Sequence, residues 1–298
     1  MPNLKDLKNR QRSILATKKI TSAMKMIAAA KLKKAQAQAY AARPYTELMA
    51  EVLGDLLARI QDPAQLPAFL VGREPSRSHM LILTTSNRGL SGGFNSSLVR
   101  MAEAQINKLQ TNDQAVKIYC IGRKGKEQLA RRYHPLIVQT VDALDKPRFH
   151  DASRIAKELF NLFENQEFDS CSIIYNKFIS ALTQKTTLTS LIPFKIEKDN
   201  PAQQRIGKNA QTSRSPYEYE PSETDVLTQL LPKNLAVQIY HTLLENAASE
   251  QGARMSAMDT ATRNANDMLK TINLTYNRTR QAYITKELIE IISGAETL

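Results

Sequence analysis

Two long stretches of helical hydrophobic spacing, one at each end of the chain, bracket a middle built from short apolar runs. In the first, Leu4, Leu7, Ile14, Ile20, Met24, Ile27 and Leu32 recur at mostly helical intervals, and an alanine-rich run follows from Ala28. Alanine is the best helix former and lets a partner helix come close. Asn3 stands where an N-cap is needed. Between residues 3 and 60 only Pro44 and Gly54 oppose a helix strongly, and a kink or restart is expected at Pro44. In the last stretch Met258, Ala261, Ala265, Met268, Ile272, Thr275, Thr279 and Ala282 follow a 3,4 spacing, which predicts a heptad seam that turns polar after Ile272. Pro232 is expected to break this helix locally. Two helices of such length can bury their stripes only on each other or on partners, so an antiparallel coiled coil is expected.

The middle has a different period. His79–Thr85, Val116–Ile121, a short strand starting at Leu136–Val138, Ser172–Tyr175 and Thr186–Phe194 read as strands. Helical patterns at 96–110, 123–132 and 151–165 alternate with them, which predicts a mostly parallel sheet with helices packed on it. The last two strands are too close in sequence for a crossover helix and are expected to form a hairpin or an edge addition. The fold class is therefore α/β, with boundaries at 1–60, 61–221 and 222–298. Residues 197–221 are polar, carry Pro201, Gly207, Pro216 and Pro221, and are expected to form a mobile loop.

Charge changes this picture at one place. The 298 residues carry a net charge of +12, and residues 1–43 alone hold eleven Lys/Arg against Asp6. Residues 236–298 are close to neutral. A charge pole on one helix points to a local acidic partner. The same N-terminus is basic and acid-poor like a transit peptide, but it has no evident cleavage signal and its helical pattern runs on, so it is read as part of the structure. No run approaches a membrane span, and no direct membrane insertion is expected.

Chemistry is sparse. Cys120 and Cys171 match no metal or CxxC spacing, and both fall in strand-like runs, as buried thiols of a reducing compartment would. His79, His134, His150 and His241 are scattered. The Gly89–Gly93 segment lacks both GxxxxGK(S/T) and GxGxxG, so it reads as a tight turn and not a phosphate loop. No catalytic residue, metal site or cofactor is expected. A basic coiled coil that binds nucleic acid or an acidic protein surface is the alternative, weakened by the scarcity of aromatics on the basic helix.

Several segments carry a resemblance. Ile20–Leu32 (ITSAMKMIAAAKL) resembles the N-terminal helix of the γ subunits of F-type ATP synthases, and Ile284–Ala295 (ITKELIEIISGA) is similar to that family's C-terminal signature. Glu245–Gln251, Arg254–Met258 and Ser86–Asn95 resemble the family too, although it more often has Asp and Cys where Asn87 and Ser91 stand. The resemblance spans the chain.

It implies a coiled-coil shaft with a Rossmann-like foot, turning inside a ring of alternating α and β subunits and docked on the membrane c-ring and the ε subunit (δ in mitochondria). It implies contact with the catalytic β subunits through Met24, Lys25, Lys18 and Lys31. A polar catch is implied at Arg254, Arg280, Gln281, Thr285 and Glu287. An apolar bearing tip is implied at Ile284, Leu288, Ile291 and Ile292, and a c-ring-facing surface at Tyr217, Glu218, Tyr219 and Glu220. The implied role is coupling of proton flow to ATP synthesis or hydrolysis without catalysis by this chain. The implied place is the cytoplasmic face of a bacterial inner membrane, or else the matrix side of the mitochondrial inner membrane.

Overall fold

The computed structural model describes residues 3–59, 67–73, 75–143, 146–194 and 223–296. Two compact units emerge: residues Met1–Ala30 with Arg254–Leu298, and residues Lys31–Ala253. Each is described in turn.

The first unit is a pair of helices. Helix α1 covers Leu4–Arg59 and the last helix of the chain, α6, covers Glu223–Glu296; their outer portions form this unit. Asn3 caps α1 as its sequence position suggests: Oδ1 accepts the Lys5 N–H at 3.0 Å. The helices run antiparallel. Gln11 donates to Asn273 Oδ1 at 2.8 Å, Thr262 Oγ1 meets Thr21 Oγ1 at 2.8 Å, and Lys25 Nζ reaches Asp259 Oδ1 at 2.6 Å, so rising numbers on one helix meet falling numbers on the other.

The inward positions of α1 are Leu4, Leu7, Gln11, Ile14, Lys18, Thr21, Lys25 and Ala28, an unbroken 3,4 repeat whose centre is polar. Ile20 and Ile27, expected inward, are 59% and 58% exposed. On α6 the seam keeps Met258, Ala265, Ile272 and Thr279 but alternates them with Thr262, Leu269 and Tyr276. Ala261, Met268 and Thr275 stand one position aside, and Met268 is 48% exposed. Both phases share the same period, and Thr262 is drawn inward by its bond to Thr21.

The second unit is a five-stranded sheet between helical layers. Its strands are β1 (Ser78–Thr84), β2 (Ala115–Ile121), β3 (Ile137–Val141), β4 (Ser170–Phe178) and β5 (Gln184–Ile192), in the order β3-β2-β1-β4-β5. All neighbours are parallel except β4 and β5, which form the expected antiparallel hairpin. The helices are α2 (Ala68–Val71), α3 (Phe94–Thr111), α4 (Arg123–Tyr133) and α5 (Phe149–Glu164).

Strand alternation sorts the core into two layers. Leu81, Leu83, Ile118 and Cys120 pack with Leu98, Ala102 and Ile106 of α3 and Leu129 of α4. Met80, Ile82, Tyr119 and Ile121 pack with Ile155, Leu159 and Phe163 of α5, Leu53 and Leu56 of α1, and Leu231, Leu235 and Ile239 of α6. Each buried Leu, Ile, Met or Phe among them contributes on the order of 1.5–3 kcal/mol.

Pro44 lies inside continuous helix α1, where a kink or restart is expected, and Pro232 lies inside continuous helix α6, where a local break is expected. A proline removes one donor from the ladder. Next to Pro232, the buried Leu231 and Leu235 hold the helix on the sheet, and that packing carries it through.

Candidate functional site

The crossover pattern places a switch point between β1 and β4, the place where open α/β sheets of this kind bind ligands beyond their carboxyl ends. Here that region is closed by the protein's own groups. The Ser86 N–H donates to Asn95 Oδ1 at 3.0 Å, so the loop after β1 is tied to the first turn of α3, the tight turn expected at Gly89–Gly93. Gly122, at φ +102°, follows β2; a Cβ there would lie 2.2 Å from the Thr85 carbonyl oxygen, so only glycine fits. A cavity at the carboxyl ends of β1, β2 and β3 is lined by Thr85, Asp142, Asp151, Arg154, Asn246 and Glu250 among others, and its volume is about 20 Å³. That is room for about one water and not for a nucleotide.

Helix α6 closes this end by completing a strand. β1 pairs with β4 only as far as Leu83 opposite Ile174, whereas β4 continues to Phe178. The Asn176 N–H donates to Asn246 Oδ1 at 3.1 Å, the Phe178 N–H donates to Glu245 Oε2 at 2.8 Å, and Ser249 Oγ donates to the Asn176 carbonyl at 2.8 Å. All three helix residues lie on one face and are buried. Gly252 continues that face; a Cβ there would meet the Ala181 carbonyl oxygen of the β4–β5 turn at 3.2 Å.

His79 and both cysteines are shut away. His79 is buried between Ser170 Oγ and Ser172 Oγ, each 2.7 Å from a ring nitrogen, and burial lowers its pKa to about 4. Burial pushes the Cys120 thiol up to about 12 and raises Cys171 as well. Among the described residues no group of three His, Cys, Asp or Glu is placed to hold a metal ion, and no helix is long and apolar enough to cross a membrane.

The surface residues singled out from the sequence are placed as follows. Lys18 and Lys25 are half-buried at seam positions of α1, Met24 is half-buried beside them, and Lys31 is exposed. Lys25 is held by Asp259, whose other oxygen takes the Arg263 guanidinium. These bonds, that of Lys25 foremost, hold the Asp259 carboxyl below the usual carboxylate range. Asp259 carries no motif of its own; the signal for it was a lysine at a seam position, which calls for an acid on the facing helix.

Of the proposed catch, Arg280, Gln281, Thr285 and Glu287 are exposed on neighbouring turns of α6. Thr285 Oγ1 donates to the Gln281 carbonyl at 3.0 Å, so these two share a face. Arg280 and Glu287, seven residues apart, share another. Arg254 is half-buried and lies about 40 Å down the helix at ~1.5 Å per residue, so it is not part of that cluster. Ile284, Leu288, Ile291 and Ile292 are 48%, 53%, 67% and 59% exposed, with Ile289 beside them. Tyr217, Glu218, Tyr219 and Glu220, like the whole of residues 197–221 expected to form a mobile loop, lie outside the described residues.

Known proteins match over the whole chain. A family model described as ATP synthase matches residues 3–298. The ATP synthase gamma chains of Methylobacterium sp. (strain 4-46) and Paracoccus denitrificans (strain Pd 1222) are 51% and 48% identical over 300 residues, covering 100% of both chains in each case. A chain in the central stalk and c-ring structure of Tetrahymena thermophila mitochondrial ATP synthase superposes with a TM-score of 0.59 at 26% identity, covering 81% of this chain and 99% of that one. A chain of the Euglena gracilis mitochondrial ATP synthase, at 19% identity and a TM-score of 0.67, covers 99% of this chain and 94% of its own and shares the fold.

Proposed function

The chain belongs to the ATP synthase gamma-chain family, and from that premise we propose that it is the rotary central-stalk subunit of an F-type ATP synthase. It couples rotation of a proton-driven c-ring to conformational change at the catalytic β subunits, and does no chemistry itself. Its partners are the α and β subunits around the helix pair, the membrane c-ring, and the ε subunit (δ in mitochondria). It works as a peripheral subunit on the cytoplasmic face of a bacterial inner membrane.

The observation that carries this reading is the end of α6. Ile284, Leu288, Ile289, Ile291 and Ile292 spread over nearly half the helix circumference and are about half or more exposed. An apolar surface of that kind calls for a surrounding sleeve. The basic α1 supplies a second surface: exposed Lys31 and the half-exposed flanks of Lys18, Met24 and Lys25, the last shared with Asp259, meet acidic groups of β. Arg280, Gln281, Thr285 and Glu287 form the catch, joined at a lower level by Arg254, and Tyr217 to Glu220 meet the c-ring.

Magnitudes favour many weak contacts. Driving a β subunit from 1:99 to 99:1 between two states takes about 5.5 kcal/mol of differential contact energy. One exposed ion pair supplies under ~1 kcal/mol, so several must act together with apolar burial. An asymmetric shaft presents a different set to each β, and rotation exchanges the sets.

Reconstitution with α and β tests the proposal. Cysteines replacing Lys25 and Thr285 are each expected to cross-link to one β at a time. Absence of a cross-link at both positions in an assembled complex rejects these surfaces. Salt-sensitive DNA binding without affinity for α and β would favour the nucleic-acid reading instead.

A further inference from the structure

Three elements of the second unit meet at one carboxylate. The Glu245 side chain is 2% exposed. Its Oε2 accepts the Phe178 N–H at 2.8 Å, on the stretch of β4 that outruns β1. Its Oε1 lies 3.5 Å from the Arg43 guanidinium of α1 and 3.8 Å from His241 Nε2, one turn back on α6. Arg43 is itself steadied over the Tyr40 ring, 4.6 Å from the centroid. Burial lowers the His241 pKa, so the ring is neutral near pH 7 and Arg43 is the cation facing the carboxylate.

A buried carboxylate is a costly way to join a helix to a sheet. Desolvation costs several kcal/mol, and apolar residues often fill such a position at least as well. The same helix does so on neighbouring turns, where Leu235, Ile239 and Leu243 pack on the sheet as ordinary core. The difference is directional. Apolar surfaces in contact resist separation but tolerate sliding, whereas a hydrogen bond fails within a few tenths of an ångström and a few tens of degrees. Glu245, Asn246 and Ser249 address Phe178 N–H, Asn176 N–H and the Asn176 carbonyl in order along the strand. That set fixes both the height of α6 on the sheet and its rotation about its own axis. Arg43 extends the grip to α1.

We infer that Glu245 is the torsional coupling point of the chain: a positioning residue through which the sheet holds both long helices against twist. The inference rests on the rotor reading, because only a chain that carries torque needs this joint. Torque delivered to the sheet reaches α6 through the Phe178 bond and α1 through Arg43, so neither helix turns alone.

The test uses the complete ATP synthase carrying Glu245→Met, Glu245→Gln or Arg43→Met in this chain. Two quantities are read: protons pumped per ATP hydrolysed, and the angular variance of a probe on the rotor while the catalytic ring is stalled. A merely structural role would alter assembly or thermal stability and leave the angular variance of assembled complexes unchanged. Glu245→Met, which releases both arms, is expected to raise the variance at least twofold and lower pumping per ATP. Glu245→Gln keeps an acceptor for Phe178 N–H and is expected to fall between it and wild type. Arg43→Met is expected to match Glu245→Gln, with no added effect in the double variant.

Wild-type variance in assembled Glu245→Met complexes overturns the inference. Should Glu245→Met fail to assemble, Arg43→Met decides: the arginine is 43% exposed, and wild-type variance in its complexes overturns the coupling to α1. Failure of the rotor reading itself is distinguishable, since the wild-type chain would then support no rotation or pumping at all.

Discussion

Acidification should destabilise the second unit through His79 in a way that one substitution removes. The imidazole is 9% exposed on β1, with both ring nitrogens 2.7 Å from serine hydroxyls of β4. A serine hydroxyl can donate or accept, so either tautomer of the neutral ring is satisfied. Burial opposes the charged ring and lowers its pKa from 6.5 to about 4. Between those values the unfolded chain binds the proton and the folded chain does not. Stability is therefore full above the unfolded value, is lost as the pH falls through this window, and is fully lost below the folded value.

At about 1.4 kcal/mol per pH unit the whole window is worth ~3 kcal/mol, and about 2 kcal/mol of it is gone by pH 5. Urea unfolding of the full chain at pH 7.5 and pH 5 should show that loss on top of the loss seen for His79→Gln, which keeps a polar side chain but does not titrate. His241 shifts in the same direction in both proteins and cancels in the comparison. Parallel losses in the two proteins, or an imidazole resonance of His79 titrating near 6.5 in the folded chain, would refute the reasoning.

Three further outcomes are expected. Gly122→Ala places a Cβ 2.2 Å from the Thr85 carbonyl oxygen at φ +102°, and strain plus overlap should lower unfolding stability by roughly 2–5 kcal/mol in a denaturant titration. Cys120 and Cys171 are buried with raised pKa values, so an aromatic disulfide reagent at pH 8 should label neither thiol in the folded chain and both after unfolding; fast labelling of the native chain would contradict this. The Asp259 carboxyl should titrate below the usual carboxylate range in carbon-detected NMR and move back toward it in Lys25→Met. Its stabilising contribution is present above the unfolded value and is lost as the pH falls through the folded one.

Much of the architecture follows from the chain read alone, because period and composition act locally. The long helices, their antiparallel pairing, the strand–helix alternation and the closing hairpin each come from spacings a few residues long. So does the family, since ITSAMKMIAAAKL and ITKELIEIISGA lie in single helices. What only the tertiary structure decided depends on partners far away in sequence. The seam of α6 runs through Leu269 and not Met268 because two adjacent apolar positions share one period, and the facing Thr21 selects between the phases. Pro232 stays within helix because the packing of Leu231 and Leu235 beside it outweighs one lost donor. Lys25 reads as free surface charge until Asp259 meets it from 234 residues away. Glu245, Asn246 and Ser249 look like an ordinary polar turn, yet they complete β4, because a strand that outruns its neighbour leaves backbone groups that must be paired.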